Sequence, residues 1–298
     1  MALTGLLKPC YVYAPRTLLR RAAMPLRWPR KATHTVRLPW GACLEVNVEE
    51  GIGRELVRQN VFDIAVSEAA WRLLKPGDTV VDVGANVGYM SSLFAHRIGP
   101  TGCVESFEPH PRIFARLRRN LLGGSANAAA ELRLHPLALG DRDGSAQLHE
   151  PEIFGINEGA STVRHDPTTA CGTAIDIRVA RFDTVLAGRD VALVKVDVEG
   201  FEAQVFAGAR TALAGGRIRH IIYEAHDCER STLHALLARY GYAIFGIGHS
   251  LVGPRLTSGA AAPRVDRRWE SPSYLATREP HAAIELLRPR GWRVLRSC

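Results

Sequence analysis

The chain has 298 residues, 46% of them apolar and 23% charged, and a net charge of +8. That length suits one α/β domain with a full core plus additional segments, and the composition excludes collagen-like, low-complexity and disordered classes. No long apolar run is present to cross a bilayer, and the six cysteines (Cys10, Cys43, Cys103, Cys171, Cys228, Cys298) form no CxxC pair, which speaks against a zinc module and for a reducing, cytoplasmic setting.

In chain order, residues 1–44 come first and carry Lys8, Arg16, Arg20, Arg21, Arg27, Arg30, Lys31 and Arg37 with no acid. The composition is that of a transit peptide, but Pro9, Pro15, Pro25 and Pro29 break any long amphipathic helix. We expect a loosely ordered or edge-packed basic extension, with Tyr11, Tyr13, Trp28 and Trp40 packing rather than stacking on a ligand ring.

Residues 45–250 alternate strands and helices. Thr79–Val83 is a β-branched run after the turn Lys75-Pro76-Gly77-Asp78, and reads as a buried strand. Gly84–Gly88 is a tight loop, Tyr89–Arg97 a helix that stops near Gly99-Pro100, and Cys103–Phe107 the second strand. Pro111–Leu122 sets Ile113, Phe114, Leu117 and Leu121 at helical spacing. Leu132–Leu139 is the third strand and Val191–Val196 the fourth; Phe201–Leu213 is the helix after it. His220–Glu224, Ser231–Tyr240 and Tyr242–Ile247 complete the pattern as strand, helix and last strand. Such alternation predicts an α/β domain with a central, mostly parallel sheet and helices on both faces. Residues 251–298, with nine Arg against Asp266, Glu270, Glu279 and Glu285, are expected to be a second basic extension. Basic ends attract nucleic acid, anionic lipid or acidic glycan; a solvated Arg-rich surface is the simpler expectation.

In a parallel sheet ligands sit outside the carboxyl ends of the strands. Asp82 and Gly84 end the first strand, Glu108 the second, Asp141 follows the third, Asp197 ends the fourth, and Glu224 and His226 end the fifth. The loop after the first strand is the most informative. A dinucleotide fingerprint starting at Gly84 requires glycine at positions 86 and 89, which hold Asn86 and Tyr89, and no P-loop Gly-Lys-Ser/Thr is present. S-adenosylmethionine, a zwitterionic sulfonium without phosphate, fits better. An acid at Asp82 attracts its ammonium, the backbone of Gly84, Asn86 and Gly88 takes its carboxylate, and Glu108 accepts the ribose hydroxyls.

With these features the chain resembles the FkbM family of methyltransferases. The resemblance rests on Val81-Asp82-Val83-Gly84-Ala85-Asn86-Val87-Gly88-Tyr89, Phe107-Glu108-Pro109 with Asn120, Ala138-Leu139-Gly140-Asp141, Ser161 and Phe182-Asp183. Its most distinctive part is Val194-Lys195-Val196-Asp197-Val198-Glu199-Gly200-Phe201-Glu202, followed by Gly208-Ala209. Gly53-Arg54-Glu55-Leu56 and Glu68 are similar to the family's lead-in, and the likeness spans about residues 50–248. It implies a Rossmann-like class I methyltransferase fold, S-adenosyl-L-methionine as donor and, usually, a hydroxyl acceptor on a sugar or natural product. The Arg-rich ends lie outside it.

An alcohol needs a base to lose its proton during attack. Asp197 is the first candidate, although Asp at that place also caps helices. His226 is the second, with Glu224 holding the acceptor or orienting His226. Lys195, inside a buried strand, needs a partner, for which Glu199 is our first choice. Asp141 is a candidate for the adenine amino group or a plain turn residue. Asp197, Glu224 and Asp227 would be the carboxylates of an oxygen-ligand metal site, but no ligand motif joins them and we expect no metal. The other readings are nitrogen methylation of a nucleic acid and a binding protein that retains the fold. The first lacks an Asn/Asp-Pro-Pro-Tyr/Phe motif, and the second is at odds with an intact loop and Glu108. The acceptor is a small molecule or glycan on this reading, and oligomeric state is not encoded in any of these features.

Overall fold

The computed structural model describes residues 9–13, 29, 31–123, 130–150, 162–164, 173–225, 227–258 and 272–296. In chain order the elements begin with α1 (Pro9–Tyr13), β1 (Thr33–Arg37), β2 (Cys43–Asn47), α2 (Gly51–Gln59), α3 (Ile64–Leu73), β3 (Thr79–Val83), α4 (Tyr89–Ile98), β4 (Cys103–Phe107) and α5 (Pro111–Leu122). Next come β5 (Glu131–His135), β6 (Ala138–Leu139), β7 (Gly144–Glu150), β8 (Thr162–Arg164), β9 (Thr173–Ala180), α6 (Phe182–Val185) and β10 (Val191–Val196). The chain continues through α7 (Glu202–Ala207), α8 (Arg210–Ala214), β11 (Ile218–Glu224), α9 (Asp227–Arg239), β12 (Ala243–Ser250), β13 (Gly253–Ser258), β14 (Ser273–Thr277) and α10 (Pro280–Leu287).

Eight strands form the main sheet in the order β13-β12-β14-β11-β10-β3-β4-β5. The five from β11 to β5 run parallel, and β14, β12 and β13 are antiparallel to their neighbours. The chain lays down β3, β4 and β5 in one direction, then returns to place β10 on the other side of β3. The switch point of this Rossmann-like α/β sheet therefore lies between β3 and β10, where such folds bind their ligands. Alternation along each strand separates two cores. Val80, Leu193 and Ile222 face a core built with α3 and α4, while Val81, Val194, Val196 and Tyr223 face one built with Val205, Leu213 and Leu237.

Several elements differ from the sequence expectation. The run expected as one strand over 132–139 divides. β5 stays in the main sheet, and β6 opens a second, four-stranded sheet of order β6-β9-β7-β8. The helix expected over 201–213 breaks into α7 and α8 at Gly208, where a Cβ would collide with the Gly140 carbonyl oxygen. Asp183, far back in the chain, receives the Thr211 and Ala212 N–H groups at 2.7 and 2.9 Å and so caps α8. β1 pairs with β2 across the expected 44/45 boundary. Trp40 is buried, edge-on to Tyr89 with ring centroids 5.3 Å apart.

The stretch 251–298, expected as an extension, supplies β14 to the interior of the main sheet, between β11 and β12. It is tied to α3 by a buried ion pair. Arg72 and Glu68 have wholly buried side chains, and Arg72 Nε donates to Glu68 Oε1 at 2.6 Å. Glu68 also receives the N–H groups of Arg293 and Val294 at 3.0 and 2.9 Å. The Arg72 guanidinium donates to the carbonyls of Pro289 and Gly291 at 2.6 and 2.7 Å. Two charges buried together are tolerated here because backbone groups satisfy the remaining valences. No helix among the described residues is long and apolar enough to cross a membrane.

Removing one member of this pair leaves a buried, unpaired charge. Arg72→Met is expected to lower unfolding free energy by about 3–5 kcal/mol in urea titration. The double change Glu68→Leu with Arg72→Met should cost less than the single one, because no isolated charge remains.

Candidate active site

Side chains on a strand alternate between faces, and parallel neighbours in register point the same way. Ser106 on β4 is opposite Asp82 on β3, Asp82 opposite Lys195 on β10, and Lys195 opposite Ile222 on β11. These four share the face that carries α3 and α4. Two residues further along each chain stand Glu108, Gly84, Asp197 and Glu224, which fall on the same face at the carboxyl ends. The ladder runs on far enough to hold them there: Gly84 N–H donates to Phe107 O at 3.0 Å, Asp197 N–H to Val83 O at 3.1 Å, and Glu108 N–H to His135 O at 3.1 Å. With neighbouring strands about 4.8 Å apart, three carboxylates and a glycine occupy one row across the switch point.

On the β3–β4 side, Asp82 is fully buried. Its Oδ2 accepts the Ser91 hydroxyl at 2.6 Å, and Ser91 in turn touches Ser106 Oγ at 2.8 Å. Asp82 Oδ1 is buried without a hydrogen-bond partner. Desolvation pushes this carboxyl above its ordinary range, against the pull of Lys195 and Ser91. Gly84 has φ +79°, and a Cβ there would collide with the Asp197 carbonyl oxygen. Its glycine is thus demanded by the neighbouring strand end as well as by the turn. Asn86 is left-handed (φ 49°) and its N–H donates to Glu108 Oε2 at 3.0 Å. Glu108 Oε1 accepts the His110 N–H at 2.9 Å. Burial pushes the Glu108 carboxyl up to about 7, although these two N–H donors oppose the shift. Gly88 (φ +91°) begins α4, and Leu117 and Leu121 of α5 leave no room for a side chain on it. Asn120 on α5 donates to Val87 O at 2.8 Å and accepts the Glu45 N–H at 2.8 Å, anchoring the loop to β2. A buried acceptor without a partner at Asp82, beside a Glu108 carboxylate with spare lone pairs, suits a ligand that carries an ammonium and vicinal hydroxyls.

On the β10–β11 side, Lys195 Nζ lies 2.9 Å from Asp197 Oδ2 and 4.0 Å from Asp82 Oδ1. Its partner is therefore Asp197 rather than the expected Glu199. The physical reason is strand period: Lys195 and Asp197 are two apart and share a face, whereas Glu199 lies beyond the strand end in a left-handed turn (φ 52°). Glu199 is solvent-exposed at its edge, and partial desolvation beside Asp197 and Glu202 pushes its carboxyl up to about 7. Glu224 is also pushed above its ordinary range, by burial first and then by the nearby charges of Asp197 and Asp63. The Asp197 side chain is 30% exposed, open to an incoming molecule.

Asp63 is the residue that the spacing did not single out. It precedes α3 with φ 35°, and its Oδ1 caps the helix by accepting the Val66 N–H at 3.1 Å. It lies within electrostatic reach of His249, Asp197 and Lys195. The only sequence signal was a helix-capping Asp, which has no functional meaning by itself. Asp141 follows β6 in the second sheet rather than ending a strand of the main row; it is exposed and pairs with Arg142 Nε at 3.4 Å. His226 lies outside the described residues, as do the Asp227 side chain and Ser161. Among the described residues no three His, Cys, Asp or Glu side chains converge closely enough to hold a metal ion.

Comparison with known proteins gives the chain a family. Residues 82–244 match the family model described as "Methyltransferase FkbM domain". The chain is 33% identical over 235 residues to 31-O-demethyl-FK506 methyltransferase FkbM of Streptomyces tacrolimicus, covering 70% of this chain and 89% of that protein. It is 27% identical over 189 residues to 2-O-methyltransferase NoeI of Sinorhizobium fredii, covering 59% of this chain and 74% of that protein. Among solved structures, a SAM-dependent O-methyltransferase from Thermotoga maritima aligns at 16% identity and a TM-score of 0.42 over 73% of this chain and 65% of that one, too loosely to add to the topology itself. The family match spans the strand ends that carry Asp82, Glu108, Asp197 and Glu224, and on it the chain belongs to the FkbM family of methyltransferases, with S-adenosylmethionine as the donor that membership implies.

Proposed function

We propose that the protein transfers a methyl group from S-adenosylmethionine to a hydroxyl oxygen on a sugar, glycan, lipid or natural-product acceptor. The observation that carries this reading is the single row of Glu108, Gly84, Asp197 and Glu224 at the switch point. Glu108 and Asp82 serve the donor, and Asp197 and Glu224 the acceptor. The donor, when bound, supplies an electrophilic methyl on a sulfonium whose sulfur keeps the electron pair as the bond breaks. Asp82 takes the donor's ammonium at its spare Oδ1 and Glu108 takes the ribose hydroxyls. Contrary to the sequence expectation, the N–H groups of Gly84, Asn86 and Gly88 already donate to Phe107 O, Glu108 Oε2 and Ala85 O, so the loop shapes the wall beside the donor rather than presenting free donors to its carboxylate. Asp141 is the proposed partner of the adenine amino group.

Asp197 orients the acceptor hydroxyl by accepting its hydrogen bond. Glu224 receives the proton as the new oxygen–carbon bond forms. A carboxyl raised by burial is a stronger base once ionised than an ordinary surface carboxylate, which suits proton removal near neutral pH. His226, two residues on, is the other candidate for that proton. The surrounding carboxylates Asp63, Asp197, Glu199 and Glu224 favour hydroxyl-bearing, uncharged acceptors and oppose phosphates, which weighs against a nucleic acid. The relatives' names point the same way, since both describe oxygen methylation. The free thiols Cys43 and Cys103 fit a reducing, cytoplasmic setting.

Two measurements test this. S-adenosylhomocysteine should bind by calorimetry, and Asp82→Ala and Glu108→Ala should each weaken it by about tenfold or more; absence of binding to the wild-type protein removes the reading. Because Glu108 is protonated below about 7 and the ribose hydroxyls favour its ionised form, affinity should fall as pH drops from 8 to 6, and Glu108→Gln should flatten that dependence. The second is methyl transfer from labelled donor across a panel of glycans, lipids and polyketide alcohols. On the acceptor found, Glu224→Gln should lower kcat by about 100-fold or more with S-adenosylhomocysteine binding retained, and His226→Ala should have a much smaller effect. The reverse pattern gives the proton to His226.

A further inference from the structure

We propose that Lys195 is a positioning residue for both halves of the reaction: its ammonium, held between Asp197 and Asp82, keeps the buried donor-side carboxylate ionised and fixes the acceptor-side carboxylate in place. This rests on the donor and acceptor assignments above. It adds a coupling between them.

The placement of Lys195 is what calls for a role. β10 reads Val-Ala-Leu-Val-Lys-Val, and every other side chain in it is buried and apolar. Sheet packing alone would favour an aliphatic residue here, since a well-packed apolar side chain is often as stable as a buried ion pair or more so. Lys195 instead has one carboxylate at 2.9 Å and another at 4.0 Å, on the two strands that flank the switch point. Register makes this unavoidable, because Lys195 and Asp82 are direct parallel partners and Asp197 is one strand period further on. Burial opposes the charge on Lys195, but Asp197 and then Asp82 outweigh it and hold the ammonium above its ordinary range.

The groups around it come from every neighbouring element. Asp82 is on β3, Glu108 follows β4, Asp197 and Glu199 follow β10, Glu224 ends β11 and Asp63 caps α3, with His249 of β12 reaching Asp63. Lys195 is the cation common to this set of acids: it acts on Asp63, Asp82, Glu108, Glu199 and Glu224 alike. Asp82 feels two opposed influences through this arrangement. Lys195 favours its ionised form and Asp197 disfavours it. A change on the acceptor side should therefore be felt at the donor site.

The probe is S-adenosylhomocysteine, titrated by calorimetry from pH 5 to 8 in a Glu108→Gln background, so that the acid limb of binding reports Asp82. Lys195→Met should move that limb to higher pH by about one unit or more, weakening binding about fivefold at the original midpoint and about tenfold well below it. Lys195→Arg should restore it to within about half a unit. Asp197→Asn should move the limb the opposite way, to lower pH, because a negative neighbour is lost. Thermal unfolding of each variant separates the alternative: a merely structural lysine predicts a changed melting temperature in Lys195→Met with the limb where it was. That result, or shifts of the same sign in Lys195→Met and Asp197→Asn, overturns the proposal. Absence of binding by the wild-type protein would instead overturn the donor site itself, so the two failures are distinct.

Discussion

The closeness of the β3 and β10 strand ends constrains the rest of the molecule. Gly84 abuts the Asp197 carbonyl so tightly that no side chain fits. That contact makes the Asp82 and Lys195 side chains neighbours in register, because parallel strands this close share one ladder to their last residues. It also obliges the chain after β3 to turn with positive φ at Gly84, Asn86 and Gly88, which brings the Asn86 N–H onto Glu108. The loop is therefore shaped first by the sheet edge and only then available to a ligand. A β-branched residue at position 84 would separate the strands before it interfered with any donor.

Electrostatics follow from the same geometry. Five acids, Asp63, Asp82, Asp197, Glu199 and Glu224, gather around one lysine on a half-buried edge. They cannot all be ionised in that setting, which is why burial and mutual repulsion raise several of them together. A site of this kind has proton-accepting capacity near neutral pH without a histidine. It also has a fixed preference in sign, favouring ammonium and hydroxyl groups over phosphate.

Much of this was legible in the sequence because it follows from strand-end logic. Asp82, Glu108, Asp197 and Glu224 are legible because each stands at or near the end of a strand, and a parallel sheet forces such residues to one edge. The glycines and Asn86 were legible from loop spacing, though the reason for Gly84 was not, since it depends on a strand more than 100 residues away. Glu199 is the partner of Lys195 expected from the sequence, yet the period of two within β10 favours Asp197. One strand over 132–139 would put Asp141 at the main sheet's edge; the break after His135 sends it to the second sheet instead. β14 is not legible because the five residues Ser273–Thr277, polar at both ends, carry no information about which neighbours they enter between.

The family match ends at residue 244, but the sheet does not. β14 closes the gap between β11 and β12, and the segment after α10 grips α3 through Arg72 and Glu68. α3 is the helix that Asp63 caps, and Asp63 stands within electrostatic reach of Asp197, Lys195 and His249. Asp82, Glu108, Asp197 and Glu224 all lie inside the matched residues; Asp63 and His249 lie outside them. The four strand-end acids thus lie inside the matched residues, and part of the surrounding acid ring lies on elements outside them on either side. Those flanking elements are held by a fully satisfied buried ion pair, an interaction strict in its geometry. The Glu68–Arg72 pair thus fixes the C-terminal segment against α3, the same helix whose first turn Asp63 caps beside Lys195.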